Sequence, residues 1–390
     1  MEVCKLYILR REVIGMNKAL LGLGSLILLI LVFVFLPLAL GRAQPVPASA
    51  PIRSPFAQVI EGAKKEGTVS VNLASTLKQT SIERMTREIK AKYGVDLSIN
   101  FTPMSVMPRL IAQAVMEHKA GAAPPYDLMT ITENEMIPYI QAGAGQKVDW
   151  KPLAQEAGVP VRAIMGVSPE LEMLYGYGLV YYTSHIGLMY DPKVVPPSEV
   201  PKKLSDLASL KWKGILGIRS FTTPYARLSY FLGQDYILNS LQAIMKTKPI
   251  VDTQANLASR FRLGEISMSY IISEKLGDVK RSRPAEWQSL EVSAVSHFYT
   301  SVRVGAPHPN AAKLVALYLA SPEGYKLMVE TAGAGNMLYP GNTEHDIDQQ
   351  DKAQGLRLDG AITDERLWKF MSSNEFRELS KKIDMIFKGG

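Results

Sequence analysis

Between Pro55 and Glu133 helical and strand-like patterns alternate, and this alternation limits the fold more than any other feature of the chain. Ser54 is placed to cap a helix from Pro55 with Phe56, Val59, Ile60 and Ala63 on one face, and Gly67 ends it. Thr68–Leu73 alternates Val69, Val71 and Leu73 with polar positions, as a half-buried strand does. Thr80 and Glu83 have capping-box spacing before a helix carrying Ile82, Met85, Ile89 and Tyr93, closed by Gly94. A strand over Val95–Phe101, a turn over Thr102–Ser105, a helix through His118 and a strand over Tyr126–Ile131 follow. The pattern predicts an α/β lobe of parallel strands joined by right-handed crossovers. Ligands in such sheets sit at the carboxyl ends of strands, beside helix N-termini. The turns Ser75-Thr76, Met104-Ser105 and Thr132-Glu133 fall there, although each can equally cap its own helix.

A second α/β set begins after a less regular stretch, Gly145–Gly176. Gly178–Asp191, rich in Val, Tyr, Ile and Thr, is expected to cross between lobes, and Ile215–Arg219 to open the second sheet. Pro224–Leu232 and Asn256–Arg262 read as helices, and Ile266–Ile272 as a strand. Glu291–Val304 returns across the hinge, Pro309–Ala320 is an amphipathic helix, and Thr363–Phe387 is a helical tail. At 390 residues, two cores are the default. The expected division is residues 55–178 with 300–345 in lobe one, and 179–299 with 346–390 in lobe two.

Ahead of both lobes, Ala19–Leu40 is an uncharged apolar run preceded by basic residues, read as an export signal cleaved after Ala43 or, alternatively, as a membrane anchor. Met16 is an alternative start, and the proline-rich residues 44–54 form a linker. The only cysteine, Cys4, lies upstream, so the exported part has neither disulfide nor thiol chemistry. Removing residues 1–43 reduces the net charge from +7 to +4, and no Lys/Arg block remains, which argues against nucleic acid as a partner.

The five histidines show no metal-ligand spacing, and the folded part lacks G-x-S-x-G, G-x-G-x-x-G and P-loop patterns. Gly333-Ala334-Gly335-Asn336 follows a helix rather than a strand, so it reads as a helix end. No metal, cofactor or catalytic residue is expected. Tyr190-Asp191-Pro192, Val200-Pro201, Leu204-Ser205-Asp206-Leu207 and Lys211-Trp212-Lys213-Gly214 resemble a stretch of the extracellular solute-binding proteins of ABC importers, in the ferric-iron and polyamine-type group. Ala306-Pro307-His308-Pro309-Asn310-Ala311-Ala312 and Ser321-Pro322-Glu323-Gly324 resemble that group's later signature. The resemblance implies a two-lobed periplasmic-binding-protein fold of type II, lobes joined by crossing hinge strands, and a ligand trapped by lobe closure. It also implies a periplasmic location, a small-molecule ligand and an ABC permease as partner. Iron-binding members resemble one another in a tyrosine pair at the place where this chain reads Ile272-Ser273-Glu274-Lys275, a departure that argues against a phenolate-bound ferric ion.

Arg219, at the predicted end of the first strand of lobe two, followed by the hydroxyls of Ser220, Thr222 and Thr223 at a helix start, has the chemistry of an anion site. Pairing of Arg219 with a surface carboxylate is the alternative. The expected ligand-binding set is Ser75, Thr76, Ser105, Thr132 and Glu133 from lobe one with Arg219, Ser220, Thr222, Thr223 and Tyr270 from lobe two. Tyr182 and Tyr299 are expected to line the cleft, and Glu133 is an alternative receiver for an amine. The function expected is capture of a small anionic solute by a monomer. A polyamine or ferric-ion carrier, an enzyme on the same fold and a tethered sensory or scaffolding domain remain alternatives.

Overall fold

In a computed structural model of the chain the described residues are 53–104, 106–160, 176–360 and 365–389. The N-terminal apolar segment, most of the linker, Ser105 and much of the stretch between Gly145 and Gly176 lie outside them. The strands are β1 (Thr68–Leu73), β2 (Ser98–Pro103), β3 (Leu128–Thr132), β4 (Leu179–Tyr190), β5 (Leu216–Arg219), β6 (Ile250–Asp252), β7 (Met268–Ile272), β8 (Glu286–Gln288), β9 (Val292–Val302) and β10 (Arg357–Gly360). They form one sheet in the order β2-β1-β3-β9-β4-β7-β5-β6, with β8 added to β4 and β10 to β9.

Helical crossovers explain why each half of the sheet is parallel. In the first half β1 pairs in parallel with β2 and β3, and the helices Gln79–Tyr93 and Met107–Lys119 lie between these strands in sequence. In the second half β5 pairs in parallel with β6 and β7, connected through Thr223–Leu232, Gln234–Lys246 and Gln254–Leu263. The halves meet at antiparallel pairs, β3 with β9, β9 with β4 and β4 with β7. This is the two-lobed α/β arrangement with crossing strands that the sequence pattern predicts.

The crossing strands are long because each serves two cores. β4 has 12 residues and β9 has 11, all buried, so β4 extends about 40 Å. Leu179, Tyr181 and Tyr182 pack with Val69, Ile82, Trp150 and Val315 in the first core. Ile186, Leu188 and Tyr190 pack with Ile218, Ile237 and Ile244 in the second. The β4–β9 register shifts between Val180 and Tyr182.

Several element ends differ from the sequence reading. Ser54 caps the first helix and Gly67, at φ 63°, ends it, as expected. The next helix starts at Gln79, with the Lys78 backbone N–H donating to Ser81 Oγ, so Thr80 and Glu83 lie inside the helix and do not form its capping box. β2 begins at Ser98 rather than Val95, because the ladder with β1 starts at the Thr68–Ser98 pair while Val95 and Leu97 enter the core ahead of it. The tail is two helices, Glu365–Ser372 and Asn374–Gly389, broken where Ser373 Oγ accepts a bond from Phe376 N at 3.1 Å.

Backbone crowding explains the glycine of Ser321-Pro322-Glu323-Gly324. A Cβ at Gly324 would stand 2.1 Å from the Tyr318 carbonyl oxygen and 2.5 Å from Leu319 Cα, both backbone atoms of the preceding turn. Gly324→Ala is therefore expected to destabilise the protein by about 1–3 kcal/mol or more, read as a lower urea midpoint at unchanged slope. Wild-type stability in that variant would show that the turn yields.

Candidate ligand site

The carboxyl ends of β3 and β5 carry the charged groups of the site. β3 ends at Thr132, and Glu133 and Glu135 occupy the first turn of the helix that follows, where the positive end of the helix dipole favours carboxylates. Glu133 is fully buried. Its Oε1 accepts a bond from Arg227 Nη1 at 2.6 Å, and its Oε2 accepts one from the backbone N–H of His297 at 3.0 Å. Arg227 Nη2 donates to the carbonyl of Val295 at 2.8 Å. The pair thus joins the helix after β3, the helix after β5 and strand β9. Glu135 accepts a hydrogen bond from the Thr132 hydroxyl, and burial pushes its pKa up to about 7. His297 is driven down to about 3 by burial, then by the charges of Arg227 and His185, so its ring is neutral.

Arg219 is the last residue of β5 and is 4% exposed, yet its Nε and Nη1 have no hydrogen-bond partner among the described residues. Its guanidinium carbon stands 5.6 Å from the Phe221 ring centre. Burial holds Arg219 below the usual arginine range, and the phenols of Tyr225 and Tyr270 act in the opposite direction. Those rings are 5.6 Å apart, and the Tyr225 hydroxyl donates to the Arg219 carbonyl at 3.1 Å. Buried donors are ordinarily satisfied, so these two guanidinium nitrogens have room for an acceptor that the described residues do not supply.

The other predicted residues fall into distinct positions. Ser220 is exposed, with its backbone N–H bonded to the Asp252 carbonyl at 3.0 Å. Thr222 and Thr223 are half-buried at the start of the helix Thr223–Leu232, and Thr222 makes no side-chain cap bond. Tyr270 and Tyr299 are buried, and the Tyr299 hydroxyl has no partner among the described residues. Tyr182 stacks on Phe298 at 4.0 Å, and its hydroxyl is likewise unpartnered. On the lobe-one side Ser75 is exposed and Thr76 Oγ1 is buried without a partner, while Ser105 lies outside the described residues. Glu133, read as a possible amine receiver, has both carboxylate oxygens engaged.

Arg227, Glu135, Tyr225 and His297 were not anticipated from sequence. One signal was present for Arg227, the sole charge in the ten-residue helix TPYARLSYFL. At the position of the implied tyrosine pair, Ser273 Oγ donates to Glu344 Oε1 at 2.5 Å and accepts from the His185 backbone N–H at 2.7 Å. His185 Nδ1 lies 2.7 Å from Glu344 Oε2. The serine therefore faces a carboxylate and an amide rather than the imidazole, which is not the arrangement of an activated nucleophile. Among the described residues no three His, Cys, Asp or Glu side chains are grouped to hold a metal ion.

The fold is similar to that of solved binding proteins. Iron-bound HitA from Pseudomonas aeruginosa is 17% identical, with 81% of this chain and 99% of that one covered and a TM-score of 0.57. The spermidine/putrescine ABC transporter substrate-binding protein PotD from Streptococcus pneumoniae is 12% identical, covering 82% and 99%, with a TM-score of 0.59. AfuA from Actinobacillus pleuropneumoniae, with fructose-6-phosphate bound, is 16% identical, covering 81% and 97%, with a TM-score of 0.62. No curated protein matches at the sequence level. A family model described as bacterial extracellular solute-binding protein matches residues 84–345, well over half of the chain. The chain belongs to the bacterial extracellular solute-binding protein family.

Proposed function

We propose that this solute-binding protein captures a small anionic solute between its lobes and delivers it to the permease of an ABC importer. The observation that carries the anion assignment is Arg219, a buried guanidinium with two unpaired nitrogens at a strand's carboxyl end. An incoming anion replaces the water lost on burial with charge-assisted hydrogen bonds, the strongest kind available to such a group. A polyamine finds less support, because the carboxylate of Glu133 is taken by Arg227 and His297. A ferric ion finds less support again, because Ser273 and Glu274 stand where the phenols would be. In this reading the solute enters an open cleft, hinge closure about β4 and β9 brings Thr76, Thr132 and Tyr182 toward Arg219, Thr222 and Thr223, and the closed form docks on the permease. The N-terminal segment directs export, with cleavage after Ala43 favoured over retention as an anchor, and the protein acts as a monomer.

Two experiments follow. In a thermal-shift screen of carboxylates, sulfonates, phosphonates, spermidine and ferric salts, at least one anion is expected to raise Tm, since a ligand at a hundred times its Kd adds about 2.7 kcal/mol of stability. A shift with spermidine and with no anion would overturn the assignment. Arg219→Met, which keeps the apolar stem, is expected to abolish the anion shift and leave the ligand-free protein at least as stable as wild type, gaining about 1 kcal/mol from removal of an unpaired buried charge. A clear loss of ligand-free stability on urea titration would make Arg219 a structural residue.

A further inference from the structure

The charge balance around Arg219 says more about the solute than its sign. Of the two buried guanidiniums in this region, Arg227 is matched by Glu133 at 2.6 Å, which leaves Arg219 as the one without an ion pair among the described residues. A further buried carboxylate, Glu135, lies two residues from Glu133 in the first turn of the same helix, and its charge acts on Arg219. Glu135 is held by Thr132, and its other charged neighbours are Glu133 on its own helix and Arg227 on the facing one. The site therefore offers at most one unit of unmatched positive charge, and less when Glu135 is ionised.

Hydrogen-bond donors are limited in the same way. The backbone N–H of Ser220 is spent on Asp252, and that of Ala226 closes the helix's first turn on Thr222, which leaves those of Thr223 and Tyr225 at the helix start. The second position of the helix is Pro224, which has no N–H, so this helix start lacks one of the donors a phosphate cradle uses. What remains from the side chains is Nε and Nη1 of Arg219 and the hydroxyls of Thr222 and Thr223, beside the rings of Phe221, Tyr225 and Tyr270. Burying a second negative charge there would leave it uncompensated in an environment where such charges are costly.

We infer that the site takes a singly charged head group, a carboxylate or sulfonate on an apolar or aromatic body, and discriminates against a phosphate dianion, with Glu135 setting that discrimination. This rests on the assignment of Arg219 to an anion.

The test uses three probes with one body, benzoate, benzenesulfonate and phenylphosphonate, with spermidine as a fourth, titrated calorimetrically into the wild-type protein and Glu135→Gln. At about pH 8, where the phosphonate is mostly a dianion, benzoate or benzenesulfonate is expected to bind at least about tenfold more tightly than phenylphosphonate. Glu135→Gln should shrink that ratio. Benzoate remains a monoanion throughout, so its affinity isolates the protein's titration. It should weaken in the wild type between about pH 6 and pH 8, as the carboxylate beside the head group ionises, and stay flat in Glu135→Gln. Equal or tighter binding of phenylphosphonate at pH 8 overturns the inference and leaves the anion assignment standing. Binding of spermidine alone removes the anion assignment itself. No heat with any probe at millimolar concentration overturns the inference, because an unpaired guanidinium among aromatic rings should hold at least one of these monoanions. If both monoanions bind, the one with the lower Kd identifies the head group.

Discussion

The Glu133–Arg227 ion pair organises the middle of this protein. Its partners sit on the helices that follow β3 and β5, and both are buried, so each depends on the other to remain charged. Each also bonds the backbone of β9, Arg227 at the Val295 carbonyl and Glu133 at the His297 N–H. Those attachment points are two residues apart on a strand that crosses between the cores. The pair is consequently fixed on the crossing strand. Removing either member alone would strand a buried charge, a far larger cost than the pair's own net contribution.

That arrangement determines what is left for the solute. With Glu133 and Arg227 neutralising each other, the proposed site is left with Arg219 at the end of β5 and Glu135 on the helix after β3 as its charged groups. The long strand β4 carries packing residues for both cores. The network of Ser273, His185 and Glu344 anchors the helix Thr343–Ala353 to β4 and the end of β7. A position where the family resemblance implied phenols in iron carriers is thereby committed to holding the fold.

Much of the fold was legible because it is written in periodicity. The period-two run Thr68–Leu73 and the apolar face of Ile82, Met85 and Ile89 each name their element and their buried side. The crossing strand was legible for a different reason, since Val, Tyr, Ile and Thr run through it without polar alternation, as they must where both faces are covered. Exact ends were less legible: Thr80 and Glu83 have capping-box spacing, yet the chain entered the helix at Lys78, and a pattern of residue types cannot rank adjacent starts. The site was half legible. Arg219 announces itself by following a strand and preceding hydroxyls, whereas Arg227 sits inside a helix and meets Glu133 across 94 positions of sequence. Only topology brings those two together, and local pattern does not contain it.

In the proposed reading, burial of Arg219 also links capture to closure. Water satisfies an exposed guanidinium, but Arg219 is buried and two of its nitrogens have no partner among the described residues. Lobe closure, in that reading, is what buries these nitrogens, so the cost falls on the closed state. A ligand shifts a two-state equilibrium only by its differential affinity, and an anion that pairs with Arg219 has most of that difference at this one residue. On this reading the unpaired charge is a functional feature: it keeps the empty protein from closing, and the solute that cancels it supplies the free energy for the lobes to meet.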